Sequence, residues 1–559
     1  MKLKGRNMKM KNRLIFILFL IQSNFCFSQA GEWTWMSGSS GAISSLGNYG
    51  IQGIANSTNV PPGIYAGVYW TDLNGNFWIF GGVRGQLLND LWKYEVASNQ
   101  WTWIKGSGGI VDQPGTYGTM GVPSIINNPG ARGYGAVSWT DDNDNLWLYS
   151  GYGFDKYGNV GPLNDLWRYN ISSNEWTWMK GIDTISTSGL GGNYGIQTIE
   201  SSANLPNARD ETNSFWKDFS GNLWFFGGGS ALCNDLWKYN VSTNNFVWMH
   251  GSSGFVQPSI YGIKGIPNPL NTPGGRRCYT RSIDTNGDFW LFGGLESSGC
   301  LMDIWKYTVA SNEWTWMDGP DSVVILGNYE AYCEASDTTQ PRGKWENRAC
   351  WSDTCGNIIN FGGLDNYSST LSDLWYYDIT DLNWRWIGGD STLSFAGNYG
   401  TQCIMSPSNK VPARCGTCNF TDGSGNCWLF GGMSGGSTFN DLWKYKITDT
   451  TCFSSCFRYS SPPPPPPNEL FIPNVFSPND DDINDFFIIK ANGFDSFHLM
   501  IFNRWGENVF TSNDSKIHWD GKLNSTKMNV SDGTYYYILE LNDNNNKPIV
   551  YKGFLTLIR

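Results

Sequence analysis

Six times an apolar run ends in an aromatic residue and two small ones: Phe80-Gly81-Gly82, Tyr149-Ser150-Gly151, Phe226-Gly227-Gly228, Phe292-Gly293-Gly294, Phe361-Gly362-Gly363 and Phe430-Gly431-Gly432. After each comes Asp, then Leu or Ile, then Trp. These aspartates, Asp90, Asp165, Asp235, Asp303, Asp373 and Asp441, are spaced 75, 70, 68, 70 and 68 residues apart. A repeat of this kind means copies of one supersecondary unit that bury their faces against one another. Eleven residues after each of the first five aspartates an aromatic-x-Trp triplet begins, at Trp101, Trp176, Phe246, Trp314 and Trp384. Upstream, Asp72, Asp141, Asp218, Asp284, Asp353 and Asp422 each stand six residues before the second residue of the run. Gly and Asn between them tolerate positive φ and suit hairpin turns. Each repeat therefore reads as four antiparallel strands. The second is apolar on both faces, as a strand covered by neighbouring sheets must be.

Composition agrees. The 559-residue chain is 16% aromatic and 16% charged, with 67 Gly. Disordered chains are poor in aromatics, and no helix-favouring periodic stretch appears. Three histidines, His250, His498 and His518, are too few for a multi-His metal centre. The net charge is -11 and no basic patch favours nucleic acid.

The Phe-Gly-Gly, Asp-Leu-Trp-Lys-Tyr and Trp-Thr-Trp segments resemble the kelch motif, whose repeats each build one blade of a β-propeller. The resemblance implies an all-β chain: a six-bladed kelch-type propeller over 29–458, with a small Ig-like β-sandwich after it. The sixth repeat lacks its Trp triplet, since Cys452 stands eleven after Asp441, while Trp33-Thr34-Trp35 stands spare near the start. The simplest closure makes residues 32–36 the outer strand of the last blade, which removes an open edge.

The repeats are longer than the ~50 residues usual for kelch. The excess lies between each outer strand and the next first strand and carries Tyr49, Tyr117, Tyr194, Tyr261, Tyr329 and Tyr399. Elaborated loops on a rigid scaffold carry binding sites, so the face bearing them is the expected functional face. Arg132, Arg209, Arg276, Arg342 and Arg414 sit where these loops enter the first strands. They could form a cationic ring for a carboxylate ligand. They could instead tie down their own loops through carbonyls and a neighbouring Asp. The leading functional expectation is a binding or adhesion protein for a glycan or protein ligand, without a catalytic residue or cofactor. The alternative is a glycan-acting enzyme of the sialic-acid-related hydrolase or epimerase type.

Residues 1–28 carry six basic residues, no acidic ones and the apolar run Leu14 to Ile21, and read as a secretory signal peptide. Its loss brings the charge to -17 and leaves no transmembrane segment. An even twelve cysteines then remain, bound for an oxidising space, and read as disulfides. Cys418 with Cys427, across one hairpin, and Cys452 with Cys456 are candidates; other pairings stay open.

Six prolines, Pro462 to Pro467, lie in a linker over 459–469. Residues 470–559 resemble the gliding-motility-associated C-terminal domain, the type B sorting signal of the type IX secretion system. The resemblance rests on Ile472-Pro473-Asn474-Val475-Phe476-Ser477-Pro478-Asn479, Ile501-Phe502-Asn503-Arg504-Trp505-Gly506, Trp519-Asp520-Gly521, Asp532-Gly533-Thr534-Tyr535-Tyr536-Tyr537 and Lys552-Gly553-Phe554 through Arg559. It implies the type IX machinery as a partner and an extracellular or outer-membrane-surface location. Lys552, Gly553 and Arg559 belong to its terminal sorting strand. Where the family has Asn-Gly-Asp-Gly, this chain has Asn479-Asp480-Asp481-Asp482; Asp480, Asp482, Asn484 and Asp485 could hold calcium through oxygen ligands.

Overall fold

The computed structural model describes residues 29–453 and 470–559, apart from 186–190, 213–214, 230, 325, 347–348, 474, 480–484, 492–495, 515–517 and 543–547. The expected signal peptide and proline linker lie outside the described residues. Among these residues there are strands and no helices, so none is long and apolar enough to cross a membrane.

Each repeat folds into a main antiparallel sheet; the second adds a small sheet of Arg132–Gly133, Tyr152–Phe154 and Val160–Pro162, and the sixth a pair, Met433–Ser434 with Ser437–Thr438. In the first, Val68–Thr71, Phe77–Phe80, Leu91–Glu95 and Gln100–Lys105 pair in sequence order. The same order recurs in the next four repeats, and the fifth adds the short strand Lys344–Trp345. In the sixth, Cys418–Thr421, Cys427–Phe430 and Leu442–Ile447 are completed by Gly31–Ser37 from the start of the chain. The N-terminal strand matches the other outer strands in detail. Trp35 Nε1 donates to the Ser37 carbonyl at 2.9 Å, as Trp103 does to Lys105 and Trp178 to Lys180.

The turn aspartates explain their own spacing. Asp72 Oδ1 accepts the amides of Asn74 and Asn76, and Oδ2 accepts Trp78 Nε1 at 2.9 Å. The same carboxylate-to-indole bond joins Asp141 to Trp147, Asp218 to Trp224, Asp284 to Trp290 and Asp422 to Trp428. The glycine pairs allow close approach between repeats. Gly81 sits at φ +65°, where a Cβ would lie 2.4 Å from the Arg132 carbonyl oxygen of the next repeat.

Aromatic and aliphatic side chains fill the spaces between successive sheets. One core joins the first and second repeats through Trp70, Phe80, Leu148 and Trp176. Another joins the sixth and first through Phe420, Trp428, Phe77 and Trp101. The first strands also follow one another in space, and Cys418–Thr421 lies against Val68–Thr71.

After residue 470 the chain forms a separate sheet in the order Val475–Phe476, Pro548–Leu557, Gly533–Asn542, Ser496–Phe502, Asn508–Ser512. Its first pair is parallel and the others antiparallel. A two-stranded sheet, Leu470–Phe471 with Lys490–Ala491, accompanies it. Trp519, Phe476, Leu539 and Leu555 are buried in one core.

Candidate functional site

Four of the five loop arginines are sealed inside the protein. Arg132, Arg209, Arg276 and Arg414 are at most 1% exposed. Each makes a two-pronged pair with the Asp of its own repeat: Asp165, Asp235, Asp303 and Asp441, at 2.6–3.0 Å. Arg132 also donates to the carbonyls of Gly130 and Ser150. The loop tyrosines complete the arrangement, donating to the six repeated aspartates at 2.5–3.0 Å. So do the indoles of Trp167, Trp237, Trp305, Trp375 and Trp443. These four guanidinia have no face left for a ligand, which corrects the cationic ring. They are loop ties, the other reading of the same residues.

The fifth repeat departs. Lys344, two positions after Arg342, reaches Asp373 at 3.0 Å. Arg342 instead stands 3.7 Å from Asp365. In the first repeat, which has no cation there, Asp90 accepts the amides of Gly108 and Gly109, and burial raises its pKa.

The long loops have a structural role that their length did not announce. Each runs to the outer edge of the sheet it precedes and bridges it: Asn56 to Trp101, Ser124 to Trp176, Ser201 to Phe246, Asn268 to Trp314, Ala335 to Arg385, and Ser406 to Trp33. An uncovered outer strand would offer unpaired backbone groups to other chains. The loops cover it, held by side chains such as Asn59, which donates to the Trp101 carbonyl at 3.0 Å.

Where repetition is abandoned, three unique places appear. A pocket of about 600 Å³ lies among the loops after the second strands of the fourth and fifth repeats. Arg277, Glu296, Val323, Trp345, Asn366 and Tyr367 line it. The Arg277 guanidinium lies 5.7 Å from the centre of the Trp345 ring. Its Nε is buried without a hydrogen-bond partner. Tyr367 is 71% exposed at the rim.

Beside it, the ligand atoms of Glu211, Cys278 and Glu346 lie within 4.8 Å of one another, and all three residues are buried. The Cys278 thiol meets Glu211 Oε2 at 3.2 Å and Glu346 Oε1 at 3.5 Å.

The third place is a central cavity of about 420 Å³, lined by residues of all six first strands. It reaches Thr71, Thr140, Ser352 and Thr421, each the last residue of its strand. It therefore lies at the end of the short turns, opposite the face expected to carry function.

The cysteines are paired differently from the candidates. Cys333 and Cys452 form a disulfide, which excludes Cys452–Cys456; Cys456 lies outside the described residues. Cys333 belongs to the fifth long loop and Cys452 follows the last strand, so the bond joins segments the sequence keeps far apart. Cys427 is a free thiol, so it is not joined to Cys418; burial raises its pKa.

In the C-terminal unit Lys552 and Gly553 lie opposite Ile538 and Tyr537 in the terminal hairpin. A Cβ on Gly553 would lie 2.4 Å from the Tyr537 hydroxyl oxygen. Arg559 pairs with Asp532 at 3.0 Å and donates to the carbonyls of Val530 and Gly521. Of the expected calcium ligands, Asp480, Asp482 and Asn484 lie outside the described residues. Asp485 accepts the Asn479 amide at 2.9 Å.

Two comparisons bear on these units. Tip elongation aberrant protein 1 of Schizosaccharomyces pombe is 26% identical to the chain over 256 residues, covering 44% of this chain and 18% of that protein. The chain thus spans less than a fifth of that relative's length. The CHU_C Type IX secretion signal domain family matches residues 470–557, the unit that holds the terminal hairpin, and the match marks the chain for export through the type IX machinery to the cell surface or the extracellular space.

Proposed function

We propose that the six sheets are blades of a closed kelch-type propeller that is exported as a binding protein for acidic glycans. Closure is supported by the packing of the sixth sheet on the first and by the exchanged N-terminal strand. The binding reading is carried by one observation: Arg277 has a guanidinium laid over Trp345, in a pocket, with no carboxylate paired to it among the described residues. Unlike the repeated arginines, it keeps its donors for a ligand. A guanidinium orients a carboxylate through two parallel bonds, and the exposed Tyr367 ring offers a flat apolar face for a sugar.

The test is calorimetric titration of the full chain with a uronate-bearing oligosaccharide and with its neutral counterpart. The acidic form is expected to bind, and Arg277→Met to weaken it at least roughly tenfold, the cost of a charge-assisted pair, at unchanged melting temperature. Equal binding of both oligosaccharides, or full binding by Arg277→Met, would overturn the reading.

A further inference from the structure

The first strands alternate, as strands do, between the cores that join sheets and the cavity they surround. At one level the six residues that line the cavity are Tyr69, Ser138, Phe215, Arg281, Cys350 and Asn419. No two are alike, although the neighbouring positions repeat. Three of them reach back to the strand before. Ser138 Oγ donates to the Tyr69 carbonyl at 2.8 Å, Cys350 Sγ to the Arg281 carbonyl at 3.5 Å, and Asn419 Nδ2 to the Cys350 carbonyl at 2.6 Å.

Arg281 does something else. Its guanidinium lies 4.0 Å from the centre of the Phe215 ring. Among the described residues it makes no ion pair or side-chain hydrogen bond. Among the described residues it is the one charged residue lining the cavity, and none of those lining it is acidic. The contrast with Arg132 is chemical: one guanidinium is fully spent on a carboxylate, the other is held against an aromatic face in a cavity. Arg281 is half-buried; a guanidinium that gives up part of its hydration without a counter-charge does so at a cost, and a ring contact returns only part of that. Burial accordingly lowers the pKa of Arg281.

The next position on these strands faces the cores between sheets instead. The indole nitrogens of Trp70, Trp216 and Trp351 donate to the carbonyls of Trp147, Ser282 and Phe420. Trp139 is likewise buried in such a core, its ring stacked on Trp147, and belongs to the packing rather than to the cavity.

We propose that the central cavity is a binding site for a small organic carboxylate, seated on Arg281. The anion supplies the missing counter-charge by accepting two guanidinium bonds. Its apolar body packs against Tyr69 and Phe215, which line the same cavity. The volume is in the range of small-ligand pockets. The site stands apart from the Arg277 pocket: it opens among the short turns, and the two arginines belong to different cavities.

Benzoate is the probe, and benzyl alcohol its uncharged control, both titrated into the full chain with melting followed in parallel. Benzoate is expected to bind with one-site stoichiometry and raise the melting temperature, and benzyl alcohol to do neither. Arg281→Met is expected to lose benzoate binding at least roughly tenfold and to melt no lower than the parent, because it removes an unpaired charge. Arg277→Met is expected to bind benzoate as the parent does. No heat from millimolar benzoate, an equal response to benzyl alcohol, or full binding by Arg281→Met would each overturn the proposal. So would a markedly lower melting temperature of Arg281→Met, which would mean that the guanidinium is already satisfied. Loss of benzoate binding in Arg277→Met alone would move the ligand to the other pocket and overturn it as well.

Discussion

Asp165 receives both terminal nitrogens of Arg132, each at 2.7 Å, with neither side chain open to solvent. It also accepts the Tyr117 hydroxyl and the Trp167 indole. One carboxylate thus fastens two points of the long loop, Tyr117 and Arg132, to the start of a third strand. Removing one partner of such a buried pair leaves an uncompensated charge. Arg132→Met should therefore cost about 3–5 kcal/mol, read by chemical denaturation, without altering the charge-dependent titrations of the Arg277 or Arg281 cavities. Unchanged stability would show that the pair is dispensable.

Gly31–Ser37 supplies the outer strand of the last sheet, and Trp33 is buried in its core. Deleting residues 29–36 exposes the Leu442–Ile447 edge and empties the space Trp33 fills. Loss of a buried Trp alone costs about 3–5 kcal/mol, so the truncated protein should melt markedly lower and aggregate. Light scattering and calorimetry check both.

The Cys333–Cys452 bond closes a separation of 119 residues. The chain-entropy relation gives about 4–5 kcal/mol for a loop of that size. Cys333→Ser should lower the stability of the oxidised protein by an amount approaching this. Peptide mapping under non-reducing conditions should recover the 333–452 pair and a free Cys427.

Gly553 leaves room for the end of the half-buried Tyr537 ring, which a side chain there would have to displace. Gly553→Val should displace the Tyr537 ring, loosen the terminal hairpin and lower secretion, leaving more of the protein in the periplasm. The repeat region has its own cores and should still give a folded protease-resistant fragment. Fractionation and limited proteolysis separate the two effects, and secretion of the valine variant at parental levels would refute the first.

His250 has its pKa lowered, chiefly by burial, and its Nδ1 accepts the Gly251 amide at 2.8 Å. The folded form therefore resists protonation more than the unfolded chain does. As pH falls below about 6.5, the ordinary value, the unfolded state takes up the proton first and stability declines, levelling off beneath the folded pKa. His250→Gln should flatten that part of the stability–pH curve.

The repeats, the four-strand unit and the exchanged strand were legible in the sequence because each depends on local spacing. Trp33-Thr34-Trp35 carries the same signature as Trp101-Thr102-Trp103, and the backbone obeys it. The arginines were visible too, and so were the aspartates that neutralise them. Nothing in their spacing, however, says that a residue at 132 ends beside one at 165 with no water between. Lys344 hid because it takes the same role two positions late. Arg281 was hidden for a different reason. It breaks no motif, and its isolation is visible only when six strands bring six unlike residues around one cavity. The disulfide escaped because its partners belong to the fifth long loop and the segment after the last strand of the sixth sheet, 119 positions apart, rather than to one hairpin.

The pairing of the first strand with the last carries a consequence for how the molecule is made. Trp33 is bound through its carbonyl to Asn409, 376 positions later. As the chain is synthesised the N-terminal segment emerges first and its partner last, and contacts of such long range slow folding. A chain cut short before the sixth repeat leaves Trp33 and its neighbours without a seat, and the adjoining edges stay open to proteases and to other chains. The strand exchange thus works as a completeness check. A stable particle should therefore be obtained only when every repeat has been made, and the sorting unit, which follows them in the chain, is made only after the last of them.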